Sequence, residues 1–361
     1  MTGEQSIFEK YRGERSGELA LACSVTRHTV SAVLYDTALG RRYARCVIFG
    51  VTVTAENALK YCGQAILRVM RESGTPAGAV KRLGFAAPAD ITMLAEDTFS
   101  PSDFFLSPDT EMLVMPMISS LLGGDFTAVL ASAMLDGESV LAADVTGGFR
   151  AAGVIGGGLK YAFMPLMGGL DGSLLESGMP LEKGAIDEVT RDGGTICYSV
   201  IGDGESLGVS VPAALNAVKL MLECGALDRD GIMTDRDLFY IGEDFYISQS
   251  DVRAIQSDKA ACRSALERFG KAAGSFERAV ISGEAFGSEN GAAAMAQMGA
   301  VPAGLAEKYG WCRIPAEQGL IACLSQPELL GRIHDLALNA EDITHQVRDG
   351  FDDIYIKNIA F

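Results

Sequence analysis

The sequence predicts an α/β chain of two duplicated lobes around a central cleft, and three observations carry that reading. The chain has 361 residues, too many for one ordinary core and suited to two domains or lobes. Three strand-like runs in succession occur twice, over 18–50 and again over 140–164. After each meander the chain passes through helical spacing into another short strand. That pattern gives a helix at 55–73 and a strand at 82–87 in the first half, then helices at 208–224 and 249–270 and a strand at 277–282 in the second. The repeat is one of element order, with weak identity between the halves. The expected division is a loose polar lead-in over 1–17, a first lobe over 18–135, and a second lobe over 136–361 with an inserted helical subdomain.

Taken in order, the first meander comprises Leu19 to Val25, Thr29 to Tyr35 and Arg42 to Phe49. It is separated by Thr26-Arg27-His28 and by Asp36 to Gly40. Ala58, Leu59, Cys62, Ile66, Val69 and Met70 then recur at helical spacing up to Gly74 and Pro76. Asp90 to Glu111, rich in Pro, Ser, Asp and Thr, reads as loop, and a helix is expected to begin at Gly123-Gly124-Asp125. In the second half Val211, Leu215, Val218 and Leu222 form a stripe that stops at Gly225. Ser248 or Ser250 caps a longer helix whose apolar face includes Val252, Ile255, Cys262, Leu266 and Phe269. Lys259 lies in that stripe, and two readings stand: an ammonium snorkelling to the rim, or one pointing into a cleft toward an anion. Phe276 to Gly287 reads as a strand running into a glycine turn, with a helix from Glu289 to Met298. Two helices broken at Pro327 follow, and Asp349 to Phe361 reads as an edge strand.

The composition is that of a globular protein. With 30 Lys and Arg against 47 Asp and Glu, the formal charge of −17 argues against binding a phosphate backbone, so no nucleic-acid partner is expected. No long uncharged apolar run and no signal-peptide core is present, so neither a membrane span nor secretion is expected, and cytoplasmic residence follows by default. The cysteines are scattered without a C-x-x-C pair, which reads as reduced, mostly buried thiols and no iron–sulfur cluster. Three histidines without a ligand-like spacing make a metal site unexpected.

Two segments carry candidate chemistry. In the first, Asp144, Thr146, Gly147 and Gly148 end one apolar run and begin another. Such a turn is either a plain tight glycine turn or one whose N–H groups approach a phosphate while Asp144 faces metal or water. In the second, Gly283, Phe286 and Gly287 lie between a strand and a helix N-terminus, a platform for nucleotide or another anion, although Glu284 would repel one. Asp171, followed by Gly172, reads as a cap of a following helix.

Together these segments resemble the superfamily of acetate and sugar kinases, chaperone ATPases and actin, which implies a duplicated actin-like ATPase (ribonuclease-H-like) fold. A narrower resemblance is to the C-terminal ATPase part of the reductive activators of corrinoid proteins. It rests on Met115 to Asp125, the Asp144 turn, Asp171-Gly172 with Gly178-Met179, and Gly184 to Asp187. It continues through Asp251 to Gln256 with Lys259, Gly283 to Gly287, and Met298 to Pro302. The resemblance implies that Ser24, Thr26, Arg27 and His28 stand where the family's first phosphate turn has an aspartate, a glycine and threonines. Likewise Thr146 to Arg150 replace a Gly-Thr-Asn-Gly-Glu order. It implies ATP and magnesium as cofactors, with Asp144 the surviving catalytic acid and Asp171, Gly172, Lys259, Gly283, Phe286 and Gly287 on the ligand side.

The adenosine-side turn at Gly283 to Gly287 is likewise one residue longer than the family's and contains Glu284, and the loss of one carboxylate together with these three altered turns predicts little or no ATP hydrolysis. The leading expectation is a degenerate binding or regulatory module, a homodimer that docks a corrinoid protein, a methyltransferase or a true activator. The alternatives are an ATP-dependent activator or small-molecule kinase using Asp144, and a structural homodimer binding another metabolite.

Overall fold

The structure, a computed structural model, describes residues 5–11, 13, 16–202, 204–234 and 237–361. The described chain forms two compact units, one of residues up to Asp136 with Ile314–Ala340, the other of Gly137–Arg313 with Glu341–Phe361. The chain therefore crosses between units three times. The segment after Arg313 returns to the first unit, which a single linear division near 135 does not anticipate.

The first unit contains β1 (Gln5–Lys10), β2 (Leu19–Val25), β3 (Val30–Asp36), β4 (Arg41–Phe49), α1 (Ala58–Ser73), β5 (Val80–Ala86), α2 (Ala89–Thr98), β6 (Glu111–Val114) and α3 (Gly124–Ala133). Its sheet has the order β1-β4-β3-β2-β5-β6, with β5 parallel to β2. Strands β2 and β3 are buried on both faces, which explains their unbroken apolar runs. Helix α1 lays Cys62, Ile66 and Val69 on the core, and Gly74 closes it in the left-handed conformation at φ 69°. Each fully buried Ile or Leu here contributes about 2 kcal/mol.

Two expectations are corrected in this unit. The lead-in over 1–17 lies partly outside the described residues, but Gln5–Lys10 is a strand paired antiparallel with β4, Ser6 opposite Ile48 and Phe8 opposite Cys46. Backbone pairing at a sheet edge supplies the order that its polar composition does not. The segment Asp90 to Glu111 is not all loop. Pro88 opens α2, which buries Ile91, Thr92 and Ala95, and a 3₁₀ turn with a Ser100/Asp103 capping box follows.

The second unit continues with β7 (Val140–Asp144), β8 (Phe149–Ile155), β9 (Gly158–Met164), β10 (Ala185–Asp192), β11 (Thr195–Val200), β12 (Gly208–Val209), α4 (Val211–Cys224), β13 (Leu238–Tyr240), β14 (Tyr246–Ser248), α5 (Gln249–Ala273), β15 (Arg278–Ser282), α6 (Glu289–Gln297) and α7 (Ala303–Ala306). Next α8 (Pro315–Ser325) and α9 (Pro327–Leu338) belong to the first unit. The second resumes with β16 (Glu341–Asp342), α10 (Thr344–Arg348) and α11 (Phe351–Asn358).

The main sheet of this unit runs β15-β7-β8-β9-β16, with β15 parallel to β7. A meander followed by a strand parallel to its first member is the arrangement of the first unit, so the duplicated order is a duplicated topology. The inserted region carries strands as well as helices, because Asp192 and Thr195 pair across Gly193-Gly194, both at positive φ, to turn the β10–β11 hairpin. The tail expected as an edge strand is helical instead: Phe351 and Tyr355, one turn apart, stack at 6.0 Å. No helix among the described residues is long and apolar enough to cross a membrane.

Candidate functional site

In the second unit, parallel pairing sets Asp144 opposite Ser282 at the carboxyl ends of β7 and β15. Ligands of open α/β sheets collect at such ends. The backbone there is bound tightly, Val145 N–H donating to the Ser282 carbonyl at 3.1 Å. Gly283, at φ 120°, is required by sterics: a Cβ would lie 2.6 Å from Val145 Cγ2 and 3.2 Å from Thr146 Oγ1. Thus the expected residues Asp144, Thr146, Gly147, Gly148 and Gly283 do come together, from segments about 140 residues apart.

The buried Asp144 carboxylate is bound at both oxygens by its own unit. Oδ1 accepts from Thr146 N–H at 3.0 Å and from Arg150 Nη2 at 2.8 Å, and Oδ2 accepts from Ser282 Oγ. A guanidinium therefore provides the positive charge that a bound cation would provide. A magnesium ion would have to compete with this guanidinium for the carboxylate, so the set fits the metal poorly. Among the described residues, no three His, Cys, Asp or Glu side chains are grouped to hold a metal ion.

Gly147, at φ 65° with open space where a Cβ would point, gives its N–H to Asp171 Oδ2 at 3.1 Å. Asp171 caps no helix; its other oxygen accepts from Ser173 N–H at 3.0 Å. Gly172 stands beside it at φ 82°. The Phe286 ring is buried against Tyr309, so only its backbone belongs to the turn, and its carbonyl accepts the Trp311 indole N–H at 3.0 Å. Gly287 follows, its N–H closing the turn onto the Glu284 carbonyl at 3.0 Å.

Glu284 itself is half-buried. Desolvation pushes its carboxyl up to about 7, opposed by a Leu181 backbone donor and reinforced by the charges of Asp171, Glu182 and Asp144. A carboxyl whose folded pKa exceeds its unfolded value stabilises most at low pH and loses that contribution as it ionises. Stability is therefore expected to fall as pH rises from about 4.5 to about 7 and to level off above. Glu284→Gln should remove this slope in thermal melts taken across that range.

The corresponding turn of the first unit has Ser24 opposite Ala86, the position held by Asp144 opposite Ser282 in the second. Thr26 accepts from His28 and Thr29 N–H groups at 3.2 and 3.0 Å, making a compact hydroxyl turn. Arg27 turns to Asp90 in the first turn of α2, with bonds of 2.7 and 3.0 Å to its two oxygens. Burial works against ionisation of Asp90, but the guanidinium holds it below the usual carboxylate range. Arg27 is thus neutralised within its own unit.

Lys259 takes neither expected direction. It is 2% exposed, its Nζ donates to the Asn358 carbonyl at 2.7 Å and to that of Ala360, and it lies 5.3 Å from the Phe361 ring centre. Burial brings its pKa down to about 8, with the Arg263 charge adding. Cys262 is buried as expected, whereas Cys224 is exposed at the end of α4.

Sequence reasoning missed Asp258, wholly buried in α5, whose carboxylate accepts the N–H groups of Met167, Gly168, Gly169 and Leu170 at 2.6 to 3.2 Å. A carboxylate in an apolar helical stripe beside Lys259 was the signal. It also missed Asp90, which nothing local connects to Arg27.

Topology and turns define the class, the duplicated actin-like ATPase fold. Residues 168–361 match the family model described as the C-terminal domain of RACo, the ASKHA domain, and the chain belongs to that family. A curated relative, the corrinoid activation enzyme RamQ of Eubacterium limosum, is 29% identical over 263 residues. That match covers 63% of this chain and 43% of the relative, so the chain spans under half of that relative's length. A solved structure, a reductive activator for a corrinoid, iron–sulfur protein, superposes with a TM-score of 0.74 at 16% identity, over 97% of this chain and 67% of the other.

Proposed function

We propose that the chain is a binding or regulatory module of corrinoid-dependent metabolism that docks a corrinoid protein and hydrolyses little or no ATP. The observation that carries this is the 2.8 Å ion pair between Arg150 and Asp144, which commits the surviving acid of the second turn to a side chain of its own unit. The Arg27–Asp90 pair does the same to the first turn's cation. Membership of the family and the RamQ relative supply the corrinoid context.

The expected result is no magnesium-dependent release of phosphate from ATP above the uncatalysed rate, together with measurable binding of a purified corrinoid protein. Sustained turnover would sink the proposal. The second reading, an ATP-dependent activator using Asp144, is favoured by the relative's description as an enzyme. It requires Asp144→Asn to abolish turnover that the wild type shows.

A further inference from the structure

We propose that the first unit binds a small organic oxyanion, a carboxylate or phosphate carried on an apolar body, in a cavity where β3 turns into β4 beside α8. The Arg41 and Arg42 guanidiniums hold the anionic head, with the Tyr35 hydroxyl as a third donor. The cavity has a volume of about 580 Å³ and is lined by these residues together with Tyr11 and Ile321, a size typical of small-molecule sites. It lies apart from the turns described above, because β3 carries the chain about 20 Å from the Thr26–Thr29 turn to this end of the sheet.

An irregular strand builds the basic wall. Tyr35 pairs with Arg42 and Leu34 with Ala44, so Tyr43 is an extra residue, a bulge in β4. In a regular strand Arg42 and Arg45, three residues apart, would face opposite sides. With the bulge both reach Glu317, Arg42 at 3.2 Å and Arg45 at 2.9 Å. Gly40, at φ 64°, makes the turn before them without a Cβ, which would fall 3.6 Å from Tyr35 Oη.

The cations outnumber the carboxylates that meet them. Glu317 touches Arg42 and Arg45, and Glu9 lies 3.7 Å from Arg45. Asp36 is also near in the chain, but it is wholly buried and committed to the turn. Its oxygens accept from Ser16 N–H and Oγ, both at 2.7 Å, and from the Ala38 and Leu39 N–H groups. Among the described residues, Arg41 has no ion pair or side-chain hydrogen bond, and the Tyr35 hydroxyl has no partner. Arg42 keeps 38% of its side chain exposed beside its bond to Glu317. A free guanidinium next to a second one therefore faces the cavity, on a chain whose formal charge is −17. Guanidinium forks match the oxygens of carboxylates and phosphates. The Tyr11 hydroxyl is already engaged by Glu9 at 2.7 Å, so its ring and the buried Ile321 offer the apolar surface that a ligand body covers.

The test titrates the full chain by calorimetry with phenyl phosphate, with benzoate, and with benzyl alcohol as the neutral counterpart. Wild type, Arg41→Gln and the exposed charge control Arg191→Gln are compared. Wild type is expected to bind at least one of the two anions at millimolar or lower concentration, and more tightly than the alcohol. Arg41→Gln should weaken that binding about ten-fold or more, the loss of a charge-assisted bond, with Arg191→Gln unchanged. Tighter binding of phenyl phosphate assigns a phosphate ligand, and tighter binding of benzoate a carboxylate. Absence of anion binding, equal affinity for benzyl alcohol, or equal affinity in wild type and Arg41→Gln overturns the site.

Labelling of the wild type with phenylglyoxal, read arginine by arginine in peptide mass spectra, needs no variant. The bound anion should slow labelling of Arg41 but not of Arg191. Equal protection of both, or protection of neither, overturns the site. ATP turnover and corrinoid-protein binding are independent of each of these outcomes.

Discussion

Glu317→Ala is expected to cost the first unit about 2–3 kcal/mol, because it leaves the part-buried Arg45 guanidinium and the buried Ser31 hydroxyl without their acceptor. Glu317 is 2% exposed in the first turn of α8. It accepts from Ser31 Oγ at 3.0 Å and Arg45 Nε at 2.9 Å, and Arg42 lies 3.2 Å from its other oxygen. Arg45 is only 17% exposed on its side chain, so water replaces the lost carboxylate only in part. The other available acid, Glu9, is 3.7 Å away and 44% exposed, which makes it a weak substitute. Glu317→Gln keeps acceptor shape and should cost less. Urea denaturation at unchanged slope measures both, and a loss below about 1 kcal/mol for the alanine variant would show the cluster to be screened like a surface pair.

Gly319→Ala is expected to be comparably damaging although alanine is the better helix former. Helices α3 and α8 meet backbone to backbone at this glycine: an added Cβ would lie 1.8 Å from the Ala128 carbonyl oxygen and 2.7 Å from Ser132 N. Those atoms belong to a helix buried along its length, so nothing flexible can yield. Propensity offers about 1 kcal/mol in favour, whereas forcing the helices apart costs about 3 kcal/mol or more, and the clash wins. Gly331 in α9 has open space around it, so Gly331→Ala should stabilise by up to about 1 kcal/mol. Equal behaviour of the two variants would refute the close crossing.

Both meanders were legible because their strands are apolar runs bounded by turn residues, a local signal. The observed strands Leu19–Val25, Val30–Asp36 and Arg41–Phe49 lie within a residue of those expected. The turn at Asp144 was legible for the same reason. Pairings between distant segments were not: Arg27 with Asp90, Asp258 with the loop before Asp171, and Lys259 with the last carbonyls each join residues whose neighbours in sequence carry no trace of the contact. The strand Gln5–Lys10 escaped notice because a polar edge strand is ordered by its neighbour's backbone. The β10–β11 hairpin, by contrast, carries a local signal in Asp192-Gly193-Gly194-Thr195.

The return of Ile314–Ala340 to the first unit bears on how such a protein can be cut, fused or inherited. A fragment ending at Asp136 would lack α8, leaving Ala128 and Ser132 of α3 without the helix that covers them and Arg45 without Glu317. Neither unit is then a portable cassette encoded by one uninterrupted stretch. Gene fission or domain shuffling at the first crossing would leave the first core incomplete and carry α8 and α9 away on the second fragment, so the pair is expected to pass from one protein to another only as a whole.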